Sequence, residues 1–192
     1  MIAIESFKKF KLIDIYVFVI LLGLFLFSNF LINWINHPIY SFVFSSLVLV
    51  IFMSLSLLII RKAFSVIIFN FLVGIFSAIL KTNFSNISLL SNYNFIILIL
   101  IAIIYELIFL MLKLEFRNVP IDIIIGAAIA NSFIPILLSL FFSLEVTKTM
   151  MFNFVNLFLL YFLIGISGSI IAFLIWYELE NRKIILKYEF RH

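Results

Sequence analysis

Long apolar runs separated by short polar breaks set the plan of this chain. A bilayer core about 30 Å thick takes about 20 helical residues to cross, and six runs reach or approach that length. They cover about 12–32, 39–60, 64–80, 94–114, 119–143 and 150–177. The runs are continuous and do not alternate apolar with polar positions, which excludes spanning β-strands and selects helices. The third run is the shortest and barely spans. The predicted fold is therefore all-α, a polytopic membrane protein built as a bundle of six transmembrane helices. It forms one domain over 1–192, with residues 178–192 as a tail. No internal repeat or domain boundary interrupts it.

Composition closes off the alternatives. The chain is 66% hydrophobic and only 11% charged, with a mean hydropathy of +1.34. A soluble domain, a disordered chain and a coiled coil all need more polar surface than this. Lys8, Lys9 and Lys11 ahead of the first run look like the start of a signal peptide. The run is too long for one, however, and Asn29, Asn33 and Trp34 follow it where a small-residue cleavage site would stand, so it is read as a spanning helix.

The basic residues orient the bundle. With the N-terminus inside, the inner segments hold Lys8, Lys9, Lys11, Arg61, Lys62, Lys113, Arg117, Arg182, Lys183, Lys187 and Arg191, and the outer loops hold Lys81 and Lys148. Lys and Arg concentrate on the cytoplasmic side of membrane proteins. Both termini are thus expected in the cytoplasm of a cell-membrane protein, and an even number of spans agrees. The net charge of +4 is then loop charge facing membrane lipids, and no nucleic-acid partner is implied. Three outer loops result, at 33–38, 81–94 and 143–149, with Trp34 and Tyr93 as aromatic groups on their rims.

Polar residues within the runs are the candidate chemistry. Glu106 is the one acid well inside a span, about twelve residues below Asn94, or about 18 Å at 1.5 Å per residue. A charge at that depth costs about 2.5–3.5 kcal/mol, so the residue is expected to face the bundle interior or a wet cavity. Asp14 and Asp122 lie near helix starts and read as helix-start acids. Asn70 shares a helical face with Gly74, Ser77 and Lys81, Asn131 lies mid-way along the fifth run, and Asn153 and Asn156 are one turn apart on the sixth. These amides can act as hydrogen-bond glue between helices, worth about 0.6–2 kcal/mol each, or line a pocket open to the outside. Small-residue spacings on the third, fifth and sixth runs mark close helix contacts, and Pro135 should kink the fifth.

Catalytic patterns are missing. Cys is absent and the two His are His37 and His192. No phosphate-binding loop, metalloprotease signature or nucleophile elbow occurs, and the acids Glu106 and Asp122 are single and far apart in sequence, without the nearby pair that metal-dependent lipid-phosphate chemistry needs. The expectation is a non-enzyme with no cofactor and no metal, any ATP hydrolysis falling to partner subunits.

The stretch 66–140 carries a resemblance. A short small-residue helix, VIIFNFLVGIFSAILKT, leads to a polar outer loop; a helix with an embedded Glu, AIIYELIFLMLK, is followed by a basic turn, LEFRNVP, and then by an Ala/Gly-rich helix, IDIIIGAAIANSFIPILLSL. This layout, within six spans, resembles the substrate-binding S components of energy-coupling factor (ECF) transporters, of the hydroxymethylpyrimidine/thiamin type. The resemblance implies a vitamin or precursor bound from outside. Trp34, Tyr93, Tyr105, Glu106, Asn131, Asn153 and Asn156 are the candidates to bind it. Glu106 would pair with an aminopyrimidine or cationic ring, and Trp34 or Tyr93 would stack on it. It also implies partners: a small aromatic or cationic solute, a transmembrane coupling subunit and two cytoplasmic ATPases. The coupling face would come from Ser41, Ser45 and Ser46, or from Gly74 and Ala78. The alternative is a structural or assembly subunit of a larger membrane complex.

Overall fold

Each apolar run forms helix because a backbone in hydrocarbon must satisfy its own hydrogen bonds. A computed structural model describes residues 9–32, 34, 38–83, 95–112, 115–116, 119–141 and 154–181. The elements are α1 (Leu12–Ile32), α2 (Pro38–Ile60), α3 (Ser65–Asn83), α4 (Phe95–Leu112), α5 (Ile121–Ser132), α6 (Ile134–Phe141) and α7 (Phe154–Asn181). Between α4 and α5, β1 (Glu115–Phe116) and β2 (Val119–Pro120) pair antiparallel, Glu115 opposite Pro120. The protein is an all-α, multi-pass membrane bundle. Among the described residues, five helical stretches are long and apolar enough to cross a bilayer, α5 and α6 counting together over Ile121–Ser139. The apolar part of α3, Ser65–Ser77, is shorter.

The fifth predicted span, 119–143, is thus two helices. Phe133 forms a turn between them, and Pro135 lacks the N–H that would bond the Asn131 carbonyl one turn back. Phe133 N–H reaches Ile129 O and Ala130 O instead, both at 3.3 Å, and the helix resumes with Leu137 N–H on Phe133 O at 3.0 Å.

Contacts at one end of the bundle show how the chain threads. The start of α1 meets the turn after α2 through an ion pair between Asp14 and Lys62, and Lys62 Nζ also donates to Lys9 O at 3.0 Å. Arg61, just past α2, stacks over Trp176 near the end of α7. The start of α3 meets the C-terminal half of α4 at Glu106. Alternate helix ends therefore gather there, and Lys9, Lys11, Arg61 and Lys62 lie with them; this is called the basic end below.

Packing is tightest between α5 and α7 and between α2 and α7. At Gly165 a methyl group would lie 2.6 Å from Ala128 Cα and from Ala127 O, so two backbones touch where no side chain fits. The core of the other half is aromatic. Phe25, Phe52 and Phe69, from α1, α2 and α3, pack mutually with centroids 5.9–6.5 Å apart, within the 4.5–7 Å range of favourable ring pairs. Outward faces of α1 and α7 expose large apolar side chains such as Ile20, Phe27, Leu163 and Leu174, as lipid contact requires.

Candidate functional site

Glu106 is buried on α4 and points at the start of α3, where its Oε2 accepts the Ile67 N–H at 3.4 Å. The N–H groups of Phe64 and Ser65 lie nearby, yet Oε1 has no hydrogen-bond partner among the described residues. A helix start presents unpaired N–H donors and a partial positive charge. The turn before α3 aims those donors, with Arg61 at φ 52° and Phe64 at φ 71°. Left-handed backbone is unusual for bulky side chains, so this turn holds strain next to the buried acid.

Tyr105 fills a junction of three helices. Its hydroxyl is 2.7 Å from Ser54 Oγ on α2, and its ring lies over Gly126 of α5. Asn70 donates from Nδ2 to Leu98 O on α4 at 2.9 Å, and its Oδ1, like Glu106 Oε1, has no partner among the described residues. Asn131 is buried and donates to Ala127 O of its own helix at 2.8 Å. Asn156, near the start of α7, is exposed. Trp34 is exposed too and packs edge-on against Phe30, centroids 6.2 Å apart. Tyr93, Asn153 and the loops 84–94 and 143–149 lie outside the described residues.

Glu106 and Asn70 therefore share the α3–α4 interface, and Tyr105 follows the same helix onto α2 and α5. Asn131 bonds within its own helix, and Trp34 and Asn156 stand apart on exposed positions. Of the serines named for a coupling face, Ser45 and Ser46 turn inward and are buried, with Ser45 Oγ donating to Asn29 Oδ1 at 2.6 Å, while the side chains of Ser41 and Ala78 lie outside the described residues.

A cavity of about 400 Å³ opens at the basic end. Among the described residues its charged groups are Arg61, Asp122 and Glu180, its aromatic wall is Trp176 and Tyr177, and Phe109 of α4 is among its apolar lining. Asp122 is 5% exposed and its Oδ1 accepts the Ile123 N–H at 2.9 Å, holding the start of α5. The Arg61 guanidinium sits 5.0 Å from the Trp176 ring centroid, a cation–π distance. Sequence reasoning placed Asp122 at a helix start and Arg61 in a basic loop, but did not join them. The missing signal is lateral: helical spacing gives depth, and the order of helices around the bundle does not follow from it.

Comparison with protein-family models, with curated proteins and with solved structures finds no match. No group of three or more metal-ligating side chains occurs among the described residues.

Proposed function

We propose that the chain is the membrane-embedded, substrate-binding subunit of a vitamin or vitamin-precursor uptake transporter, similar to the S components of ECF transporters. It would take a thiamin- or pyrimidine-like solute from the outer side, with both termini cytoplasmic, and depend on separate coupling and ATPase subunits. The observation that carries the reading is Glu106. A carboxylate buried in a spanning helix, one oxygen held by a helix start and the other left over, is costly in a bundle whose purpose is packing alone. A cationic or amino-substituted ring would supply what Oε1 lacks. The Asn70 oxygen on the same interface adds a second acceptor, and the Ala/Gly-rich α5 beside α4 fits the layout on which the resemblance rests.

The test is binding of thiamin and of hydroxymethylpyrimidine to the purified protein without ATP, measured by calorimetry and by native mass spectrometry. Binding of either, weakened at least tenfold in Glu106→Gln, supports the reading. Binding that is absent, or indifferent to Glu106→Gln, removes it.

One observation favours the second reading, a structural or assembly subunit. Ser54–Tyr105, Asn70–Leu98 and Asn29–Ser45 each tie two helices together, which is what interhelical glue does. Co-purification in a stable complex with no bound solute would select it.

A further inference from the structure

The turn that joins α2 to α3 stands between two buried acids. Glu106 of α4 takes the Ile67 N–H on one side, and Asp14 of α1 pairs with Lys62 on the other. Inside this turn Arg61 and Phe64 are left-handed, with φ of 52° and 71°. A Cβ makes that backbone costly. It persists only where the surroundings over-determine it, and such positions cluster at clamps and switches. What ties this turn down is therefore informative.

Arg61 N–H donates to Leu57 O at 2.9 Å and anchors the turn on α2. Lys62 Nζ ties it to Asp14 and, at 3.0 Å, to Lys9 O. Lys62 O accepts the N–H of Ser65 at 3.3 Å and also its hydroxyl. Ser65 is fully buried and is the first residue of α3, so the hold on Lys62 passes directly into that helix. Glu106 closes the far side.

The ties at the two acids differ in strength. Asp14 and Lys62 join two charges, 1% and 9% exposed, and charge-assisted bonds are about twice as strong as neutral ones. The bond from Ile67 N–H to Glu106 Oε2 is 3.4 Å long, beyond the range of about 2.7–3.2 Å for N–H···O bonds. Glu106 Oε1 has no partner among the described residues. The turn is thus fixed firmly at α1 and loosely at α4. A group that offers Glu106 better donors acts on the loose tie.

We propose that this turn is a relay between Glu106 and the start of α1. When Glu106 turns to a cationic guest, the start of α3 loses its acceptor and Phe64 relaxes out of left-handed backbone. Ser65 then slips its hold on Lys62 O, Lys62 loosens from Asp14 and Lys9 O, and Lys9 to Lys11 come free at the basic end. Linkage makes the effect run both ways: breaking Asp14–Lys62 loosens the donors that face Glu106. The guest rests on the uptake reading above; the relay between the two acids does not.

Hydrogen–deuterium exchange of the full chain in detergent micelles, resolved to single amides, tests the relay without any ligand. Lys11 N–H, held by Asp14 Oδ2 at 2.6 Å, and Asp14 N–H, held by Lys11 O at 3.0 Å, report on α1. Ser65 and Ile67 report on α3, and the amides of α7 are the internal reference, since a general loss of stability raises them as well. Glu106→Ala should speed exchange at Lys11 and Asp14 at least fivefold, and Glu106→Gln, which keeps an acceptor, should restore most of the protection. Asp14→Leu combined with Lys62→Met should speed exchange at Ser65 and Ile67 at least fivefold. In a Phe64→Gly background, where the strain is gone, Glu106→Ala should leave Lys11 and Asp14 unchanged. No rise at the distant end, an equal rise in α7, or the same rise with Phe64→Gly present overturns the relay. If the Asp14 and Lys62 pair of substitutions does not fold, the Glu106 and Phe64 variants decide it alone. Thiamin added to wild type should speed exchange at Lys11 and Asp14 too. Thiamin that binds by calorimetry without this rise overturns the guest as trigger, and thiamin that does not bind counts against the uptake reading alone.

Discussion

Replacing Gly165 by alanine tests the packing that holds the bundle together. In an unconstrained helix this change is favourable by about 1 kcal/mol, because glycine gives up more backbone freedom. At Gly165 the new methyl carbon would lie 2.6 Å from Ala127 O and 2.6 Å from Ala128 Cα. Both are backbone atoms of α5, so no rotamer change can make room. Restoring van der Waals contact at 3.4 Å or more requires α5 and α7 to part by about 0.8 Å, a gap that forfeits a quarter to a half of each contact along the seam. Overpacking of this kind costs about 1–3 kcal/mol. The seam is the most extensive in the bundle, so the upper part of that range applies, and subtracting the helix gain leaves a net loss of about 2 kcal/mol. Gly23 is the control, since nothing lies within 4 Å of a methyl placed there. Reversible unfolding in mixed micelles of increasing SDS fraction, followed by circular dichroism, measures both. Gly165→Ala should unfold earlier than wild type and Gly23→Ala no earlier. If Gly165→Ala were as stable as wild type or more so, the close approach of α5 and α7 would be wrong.

Other substitutions probe the polar contacts. Tyr105→Phe and Ser54→Ala should each lose about 1 kcal/mol, and a double-mutant cycle in the same assay should return a coupling of about 0.6–1.7 kcal/mol; zero coupling would deny the bond. Asp14→Asn should cost about 3–5 kcal/mol by leaving the buried Lys62 without its counter-charge and with only the Lys9 carbonyl to accept from it, whereas Asp14→Leu combined with Lys62→Met should recover most of that loss; a single variant as stable as wild type counts against the pair. Phe64→Gly should raise stability by about 1 kcal/mol, because Phe64 is exposed and its φ of 71° suits glycine. A loss in the same unfolding assay would show that its ring contributes more than the strain removes. Glu106→Ala should cost about 1–2 kcal/mol by uncapping α3, and Glu106→Gln, which keeps an acceptor for Ile67 N–H, should cost less; the reverse order would refute the capping role.

The helices were legible because their signal is one-dimensional. A run of twenty apolar residues has few fates outside a bilayer, and α1, read as 12–32, is Leu12–Ile32. Even the break in the fifth span was announced by Pro135, since a missing N–H acts within one turn. The candidate site was legible only as a set of residue types. Glu106 stood out because a buried acid is expensive wherever it is, yet its partner, the start of α3, lies 39 residues away in sequence. Asp122 and Arg61 were read as ordinary helix-end charges, and only the packing of α2 and α5 against α7 makes them walls of one cavity.

Sequence alone determined the class, an all-α bundle of helices apolar enough for a membrane, and the position of each polar group along its helix, because hydrophobic burial and backbone satisfaction are properties of a segment taken singly. Tertiary structure decided which faces meet, that Gly165 lets two backbones touch, that Tyr105 bridges three helices, and that Arg61, Asp122 and Glu180 share a void. Those outcomes depend on shape complementarity between helices with nearly uniform apolar surfaces, where a small glycine or a fixed turn, and not the average hydropathy, selects the neighbour.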